Sequence, residues 1–320
     1  MNLSQAFLLI ASFFLSTATL AQTYPTKPVR WIVPSTPGDG SDIMARLLAD
    51  HVGRALGQAV VVDNKPGAGG VLGSDLAVRS QADGYTMIVG NAGSHGINAA
   101  IYTKLTYDVV KDFAPVGLIC TSPNVMVVSQ SNRAQNVADF VSYAKANPGK
   151  LNYASGGVGS SAHLSAELFK SMTGTEITHV PYKGAAPAVA ALLAGEVDVM
   201  IGNLPPWTTQ ISAGRVRALA VTTPRRYAAM PDVPALSELL PGFETVAWFA
   251  VFAPAATPKP VIERMNREIN AALAMPDVRE RLKKTGCDPA PGQPEALGLR
   301  VANDVMRWKK LAAEKNIRAD

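Results

Sequence analysis

Short runs of β-branched residues alternate along this chain with segments of helical periodicity. Val29–Val33 has the composition of a strand, and a Gly/Pro turn separates it from apolar residues at helical spacing over 43–56. The same order of strand, turn and helix returns several times, as far as residues 218–221. Strands separated by helices usually pair in parallel, in βαβ units. The pattern therefore predicts an α/β fold with mostly parallel sheets.

An apolar segment near the N-terminus, residues 6–15, is too short to span a bilayer and is typical of a signal peptide. Thr19, Leu20 and Ala21 supply a cleavage site, although residues 1–5 lack the usual Lys or Arg. We predict a cleaved signal peptide over residues 1–21, with an uncleaved membrane anchor as the alternative. No later segment is apolar for long enough to cross a membrane, so we expect a soluble mature chain.

Charge and cysteine content exclude several classes of protein. The net charge is +5, and its basic residues are scattered singly, which argues against a nucleic-acid partner. The chain has 2 cysteines, Cys120 and Cys287, too few for a disulfide scaffold or a four-cysteine zinc site. We predict two separate thiols, and a bridge between them is the alternative, because the sequence does not show their proximity.

Four strand-to-helix junctions are rich in Gly, Ser and Asn. They cover residues 35–42, 90–95, 155–161 and 181–184, and Asn203 follows a nearby strand. Ligands of open α/β sheets bind at such junctions, where glycines allow close approach and free N–H groups at helix starts attract anions. Several junctions facing one cleft predict a pocket for a carboxylate. Each junction by itself also fits an ordinary connecting loop.

Signatures of catalysis are missing from the sequence. It contains no G-x-S-x-G, no phosphate-binding P-loop and no H-E-x-x-H, and no two histidines have metal-ligand spacing. We therefore predict no catalytic residue, no metal and no cofactor. The alternative is a secreted hydrolase or lyase that uses Ser94 or Ser160 with a histidine such as His163.

Some side chains leave two interpretations open. His51 fits packing on an apolar helix, whereas His95 and His163 fit either a pocket or the stapling of a loop. Lys183 either meets a ligand anion or is simply solvated. Trp207 follows Asn203 closely and fits the wall of a pocket better than the core.

A set of short motifs in order along the chain resembles one family. The motifs are YPTKP at 24–28, PSTPGDGSD at 34–42, NKPGAGG at 64–70, DGYT at 83–86, YDVVKDFAP at 107–115, PGKLNY at 148–153, HVPYKG at 179–184, NLP at 203–205, RALAV at 217–221 and PDVP at 231–234. The chain thus resembles the Bug-type periplasmic receptors, the substrate-binding proteins of the tripartite tricarboxylate transporters, over essentially all of its mature length.

The resemblance implies the two-domain type 2 periplasmic-binding-protein fold, in which two α/β domains close like a Venus flytrap on a ligand in the cleft. With crossings placed near Asn124 and Trp248, domain 1 comprises residues 22–123 and 248–320, and domain 2 comprises residues 124–247. It also implies a clamp at the first strand-to-helix loop that holds a carboxylate, with the loops of the opposite domain reading the rest of the ligand.

Junctions and resemblance together predict the ligand-binding residues. They are Ser35, Thr36, Pro37, Gly38, Asp39, Gly40, Asp42, Asn91, Ser94, His95, Ser155, Gly159, Ser160, Ser161, His163, Tyr182, Lys183, Gly184, Asn203 and Trp207.

Asp39 departs from the family pattern, because receptors of this type usually have glycine there, and commonly an aromatic residue at the position of Ser35. The Asp39 carboxylate either caps the following helix or faces the cleft. In the second case it repels a second anionic group and favours a ligand with an amine, amide or hydroxyl.

The predicted function follows from the resemblance. We expect a monomeric periplasmic receptor that binds a small organic carboxylate, performs no chemistry and delivers its ligand to integral membrane transporter subunits. A ligand-presenting partner of a membrane kinase would share the fold and is the third interpretation.

Overall fold

The computed structural model describes residues 24–315 and 317–319, so the predicted signal peptide at 1–21 lies outside the described residues. The strands are β1 Val29–Val33, β2 Val60–Asn64, β3 Thr86–Asn91, β4 Phe113–Ser129, β5 Leu151–Ser155, β6 Ile177–Pro181, β7 Val199–Asn203, β8 Val216–Val221, β9 Val246–Pro254 and β10 Asp288–Pro289. The α-helices are α1 Gly40–Leu56, α2 Val71–Val78, α3 Asn98–Ile101, α4 Val137–Ala146, α5 Ser161–Thr173, α6 Ala185–Ala194, α7 Thr208–Ser212, α8 Leu236–Leu239, α9 Lys259–Ala274, α10 Pro276–Lys284 and α11 Pro294–Lys315. Short turns of 3₁₀ or π-helix cover Ala68–Gly70, Gly93–Ile97 and Pro205–Trp207.

The strands form two groups, which we call the first and the second lobe. In the first lobe β1 lies between β2 and β3 and pairs with both in parallel, and β9 continues the sheet antiparallel to β3. In the second lobe β5 pairs in parallel with β6 and β7. The parallel strands are those separated by helices, as the alternating pattern predicts.

Strand β4 connects the lobes because it changes partners along its length. Its residues 113–123 pair with β9 of the first lobe, whereas residues 124–129 pair with β7 and β8 of the second. The chain returns to the first lobe where β9 begins at Val246. The sheets thus meet along two adjacent crossings of the backbone.

A cluster of buried polar groups lies at these crossings. Asn124 donates its backbone N–H to Thr222 Oγ1 at 2.9 Å, and its Nδ2 lies 3.1 Å from Thr245 Oγ1. The Thr245 backbone N–H donates to Thr222 O at 3.1 Å. Buried polar groups need such partners, so this cluster fixes the geometry of both crossings.

Each lobe has its own apolar core. Trp31, Met44 and Leu48 lie in the first, between the sheet and α1, and Phe140 and Phe169 lie in the second. Helix α1 ends as its sequence predicts, with Gly57 in the left-handed conformation at φ 70°. These two cores are separate clusters, one in each lobe.

Helix α11 packs across the lobes. Trp308 and Ala312 on this helix share an apolar cluster with Ile97 and Ile101 of the first lobe and with Leu164 of the second. In the described part of the chain, no helix combines the length and the apolar character that a membrane crossing requires.

The prediction of two free thiols is wrong, because Cys120 and Cys287 form a disulfide with an S–S distance of 2.06 Å. The sequence places the two residues 167 positions apart. Strand β10 brings them together, since Pro289 pairs with Cys120 in antiparallel register. A strand of two residues is too short to show an alternating pattern in the sequence, so this pairing could not be predicted.

Candidate functional site

Loops at the carboxyl ends of strands from both lobes enclose one cavity of about 130 Å³. An apolar cavity of roughly 150 Å³ holds a benzene ring, so this space suits a small molecule. The lining residues are Pro34, Ser35, Asp39, Pro66, Gly67, Ala68, Gly69, Gly70, Asn91, Gly156, Gly157, Ser160, Ser161, Ala162, Tyr182, Lys183, Gly184, Ala185, Met200, Asn203, Pro206 and Trp207. The position is the one that open α/β sheets use for ligands.

The loop between β1 and α1 contributes Ser35 and Asp39 to the wall. Asp42 shapes this loop from behind, since its carboxylate accepts hydrogen bonds from the Gly38 N–H at 2.9 Å and from Arg46 Nε at 2.9 Å. Burial opposes ionisation of Asp42, but these hydrogen bonds hold its pKa below the ordinary value. Asp42 therefore positions the loop and does not line the cavity.

Asp39 is buried at the N-cap position of α1, yet its side chain makes no standard capping hydrogen bond. Its carboxylate is near the backbone N–H groups of Gly40 and Ser41, and near that of Ala185 in the opposite lobe. Burial raises the pKa of Asp39 to about 6, and these N–H groups offset part of that effect. Asp39 thus combines features of both interpretations, because its carboxylate lies by the N–H groups at the start of α1 and the residue also lines the cavity.

The junction after β3 supplies one wall residue, Asn91. Its Nδ2 donates to Ser41 Oγ at 2.8 Å, and its Oδ1 accepts from the N–H groups of Gly93 and Ser94. These bonds tie the junction to the start of α1. The Asn91 amide therefore already has partners within the first lobe.

Ser94 and His95 lie behind the wall. Ser94 Oγ is 2.9 Å from His95 Nδ1, and the imidazole stacks on Phe252 with ring centroids 4.3 Å apart. Burial lowers the pKa of His95 to about 3, so the ring is neutral. A serine beside a histidine could suggest a nucleophile, but neither residue lines the cavity.

The third junction, residues 155–161, is held by a stack of aromatic rings beneath it. The His179 ring lies 4.6 Å from Tyr153 and 4.5 Å from His163, centroid to centroid, and its Nε2 is 2.6 Å from Ser155 Oγ. Burial lowers the pKa of both histidines, that of His179 to about 4. Ser155 and His163 thus support the loop from outside the cavity.

Two serines of this junction do line the cavity. Ser160 is the N-cap of α5, where its Oγ accepts the His163 N–H at 3.3 Å. Ser161 Oγ donates to Asn203 Oδ1 at 2.7 Å, which joins two predicted binding residues in one hydrogen bond. Since Ser160 is a helix cap, it is no better placed than Ser94 to act as a nucleophile.

The fourth junction brings Tyr182, Lys183 and Gly184 to the wall, with Asn203 and Trp207 beside them. Lys183 is exposed at the rim, whereas Trp207 is fully buried. Gly184 has a φ of 127°, and a Cβ there would lie 2.3 Å from Thr36 Oγ1 of the first lobe. Gly184 thus allows the two lobes to meet.

The structure divides the predicted binding residues into two sets. Ten lie at the cavity wall: Ser35, Asp39, Asn91, Ser160, Ser161, Tyr182, Lys183, Gly184, Asn203 and Trp207. Ten lie outside it: Thr36, Pro37, Gly38, Gly40, Asp42, Ser94, His95, Ser155, Gly159 and His163.

A glycine-rich loop that we did not include among the binding residues, Pro66 to Gly70, also lines the cavity. It approaches the second lobe so closely that a Cβ on Gly69 would lie 2.1 Å from Val158 O. Tyr102 OH lies 3.3 Å from Ala68 O and 3.1 Å from Val158 O, and so bridges the lobes. The run of glycines directly after strand β2 is the sequence feature that could have identified this loop as part of the binding site.

Two buried polar atoms at the wall lack partners among the described residues, Ser35 Oγ and Trp207 Nε1. Buried polar groups are nearly always hydrogen-bonded, so each is an available contact for a bound molecule. Across residues 24–315 and 317–319, no group of three or more His, Cys, Asp or Glu side chains could hold a metal ion.

Comparison with a family model gives a match over residues 44–317, to the tripartite tricarboxylate transporter family receptor. A Pseudomonas protein described as a UPF0065 protein in the tcbD-tcbE intergenic region is 41% identical over 316 residues, which cover 97% of this chain and 94% of that protein. Protein BugT of Bordetella pertussis is 36% identical over 98% of each chain.

Two solved structures of similar proteins contain carboxylates. That of R. palustris Rpa4515 with adipate has a TM-score of 0.89 and 39% identity, covering 92% of this chain and 99% of that one. That of MatC from Rhodopseudomonas palustris with bound malate has a TM-score of 0.87 and 33% identity, covering 90% and 99%. The predicted two-domain α/β fold is confirmed by these similarities.

Proposed function

The chain belongs to the tripartite tricarboxylate transporter receptor family, and we propose that it captures a small organic carboxylate in the cavity between its lobes and presents it to membrane transporter subunits. The prediction of a receptor rather than an enzyme is confirmed by the family and by its solved relatives. Neither the hydrolase nor the kinase-partner alternative has support.

The observation that carries the proposal is the cavity itself, which is lined by strand-to-helix loops of both lobes. Ser35 Oγ on one side and Trp207 Nε1 on the other are buried without partners. Donors that are already desolvated and fixed bind a ligand oxygen at little further cost. The adipate and malate in the two similar structures support a small carboxylate as the ligand.

Binding requires movement of the lobes. The close approaches of Gly69 to Val158 and of Gly184 to Thr36 join the two lobes beside the cavity, so we infer that a ligand enters when the lobes separate. The crossings around Asn124 are the only backbone links between the two sheets in the described chain, and we place the hinge there. A ligand that contacts both lobes then shifts the equilibrium toward the closed state.

We propose the division into domains that the sequence predicts, with residues 22–123 and 248–320 in one domain and 124–247 in the other, and the nearby crossings of β4 and β9 support it. We further propose that residues 1–21 are removed on export to the periplasm, where receptors of this family work, and that the receptor is a monomer there.

The test begins with the purified chain. Mass spectrometry of small molecules released on unfolding, followed by calorimetric titration of the identified molecule into ligand-free protein, should show a carboxylate bound at one site. Trp207→Phe removes Nε1 and should weaken binding by about tenfold.

Trp31→Phe is the matched control, because Trp31 Nε1 is also buried without a partner but lies in the core of the first lobe. It should leave the affinity unchanged. Absence of any bound carboxylate would overturn the proposed function, and an equal effect of the two variants would remove Trp207 from the site.

A further inference from the structure

Two charged side chains line the cavity among the described residues, Asp39 from the first lobe and Lys183 from the second. They have opposite charge, and Lys183 makes no ion pair with another described residue. A ligand that fills the space between the lobes therefore meets a carboxylate on one side and an ammonium group at the rim of the other.

The Asp39 carboxylate occupies the place that a ligand anion would take at two helix starts. It lies near the N–H groups of Gly40 and Ser41 at the beginning of α1 and near that of Ala185 at the beginning of α6. Such N-termini favour one negative charge. Because a carboxylate of the protein is already present there, a second anion at this end would be repelled.

The opposite requirement comes from Trp207. Its Nε1 is a donor only, is fully buried and has no partner among the described residues. Because Trp207 also lines the cavity, we infer that a carboxylate or carbonyl oxygen of the ligand serves as its acceptor. An oxygen of the ligand thus suits the wall of the second lobe, whereas the Asp39 carboxylate, which has about four acceptor sites, can accept one further donor beside its three backbone N–H groups.

We propose that the cavity selects a small acid with a single carboxylate, which carries an amide or amine N–H donor at its other end for Asp39. This inference rests on the proposed function and narrows its ligand class. Asp39 attracts one kind of ligand and rejects another. An N–H group of the ligand can donate to its carboxylate, whereas the second carboxylate of a diacid is repelled by the like charge in a desolvated site.

The experiment compares diacids with their own monoamides, which have nearly the same shape. Succinate, adipate, the monoamide of each, and 6-aminohexanoate are titrated into ligand-free protein at neutral pH. Wild-type protein should bind a monoamide at least about tenfold more tightly than the matching diacid, since the second carboxylate of the diacid meets the like charge of Asp39.

Asp39→Asn and Asp39→Gly should both abolish this preference, and thermal unfolding shows that each variant is folded. Asp50→Asn is the control, because Asp50 is exposed on the same helix and lies outside the cavity wall. It removes the same charge and should keep the wild-type preference.

The possible failures are distinct. If the wild type binds diacids as tightly as monoamides, or if both Asp39 variants keep the preference, this inference is overturned and the proposed function stands. If neither the wild type nor the variants bind any of these acids, this inference is overturned, and the proposed function is overturned as well only if the purified protein also releases no carboxylate.

Discussion

Thr36 of the first lobe and Gly184 of the second lie so close that a Cβ on Gly184 would come to 2.3 Å from Thr36 Oγ1. Real Cβ atoms do not approach other heavy atoms to that distance, so the closed arrangement depends on the missing side chain. The contact lies beside the cavity and joins the two lobes.

We expect Gly184→Ala to lower ligand affinity by at least about tenfold, because the added methyl group holds the lobes apart and closure contributes to binding. Calorimetric titration with the ligand identified from the purified protein measures the loss. Gly195→Ala is the control, since Gly195 also has a positive φ, at the other end of α6, but has nothing within 4 Å.

Gly195→Ala places a side chain in the left-handed αL conformation, and Gly184→Ala places one at φ 127° and ψ 172°, a region that glycine almost alone adopts, so each should lose about 1–3 kcal/mol of stability. Only Gly184→Ala should lose affinity. An equal loss in both would mean that backbone strain, and not the contact with Thr36, accounts for the effect.

The raised pKa of Asp39 gives a second prediction. The folded protein holds this proton up to about pH 6, whereas the unfolded chain releases it near the ordinary aspartate pKa of 3.8. Stability therefore falls as the pH rises through this window and stays lower above it. Asp39→Asn should raise the free energy of unfolding relative to wild type by about 1–3 kcal/mol at pH 8, and by less at pH 4.

Denaturant unfolding of both proteins at the two pH values tests this. A difference that is the same at pH 4 and pH 8 would show that Asp39 is not the titrating group.

Periodicity made most of the fold predictable. Val29–Val33 and the helix that ends at Gly57 carry local signals, namely β-branched residues and a left-handed glycine, and both elements are present. The loops after these strands also meet at one place, because the carboxyl ends of parallel strands share an edge of the sheet.

Contacts between distant segments were not predictable. Ser94 and His95 occur in the right junction, but the imidazole packs on Phe252, which is far away in the sequence, and so turns away from the cavity. Whether a polar side chain faces the ligand or supports the loop depends on such partners. The disulfide partner of Cys287 likewise depends on a contact between distant segments, namely the pairing of β10 with β4.

The disulfide supports a third prediction. It closes a loop of 167 residues that contains the whole second lobe. Cys120→Ala combined with Cys287→Ala should lower the free energy of unfolding by about 2–5 kcal/mol, because a long loop gains entropy in the unfolded state when the link is removed.

Ligand affinity should stay unchanged, since neither cysteine lines the cavity. Reduction of the wild type should lower its unfolding midpoint to that of the double variant. A reduced protein that remains as stable as the oxidised one would contradict the prediction.

The buried imidazole of His95 makes the first lobe sensitive to acid. Burial lowers its pKa to about 3 in the folded protein, whereas the ordinary histidine pKa is 6.5, so the unfolded chain takes up a proton first as the pH falls. Stability is therefore lost on acidification from about pH 6.5 downward. Glutamine at this position stays uncharged, and His95→Gln should flatten the pH dependence between pH 6.5 and pH 4, although it also loses the stacking on Phe252.

Thermal unfolding across this range measures the slope. His163 and His179 have lowered pKa values as well, so part of the slope should remain in the variant. A variant with the full wild-type slope would show that protonation of His95 does not limit stability in acid.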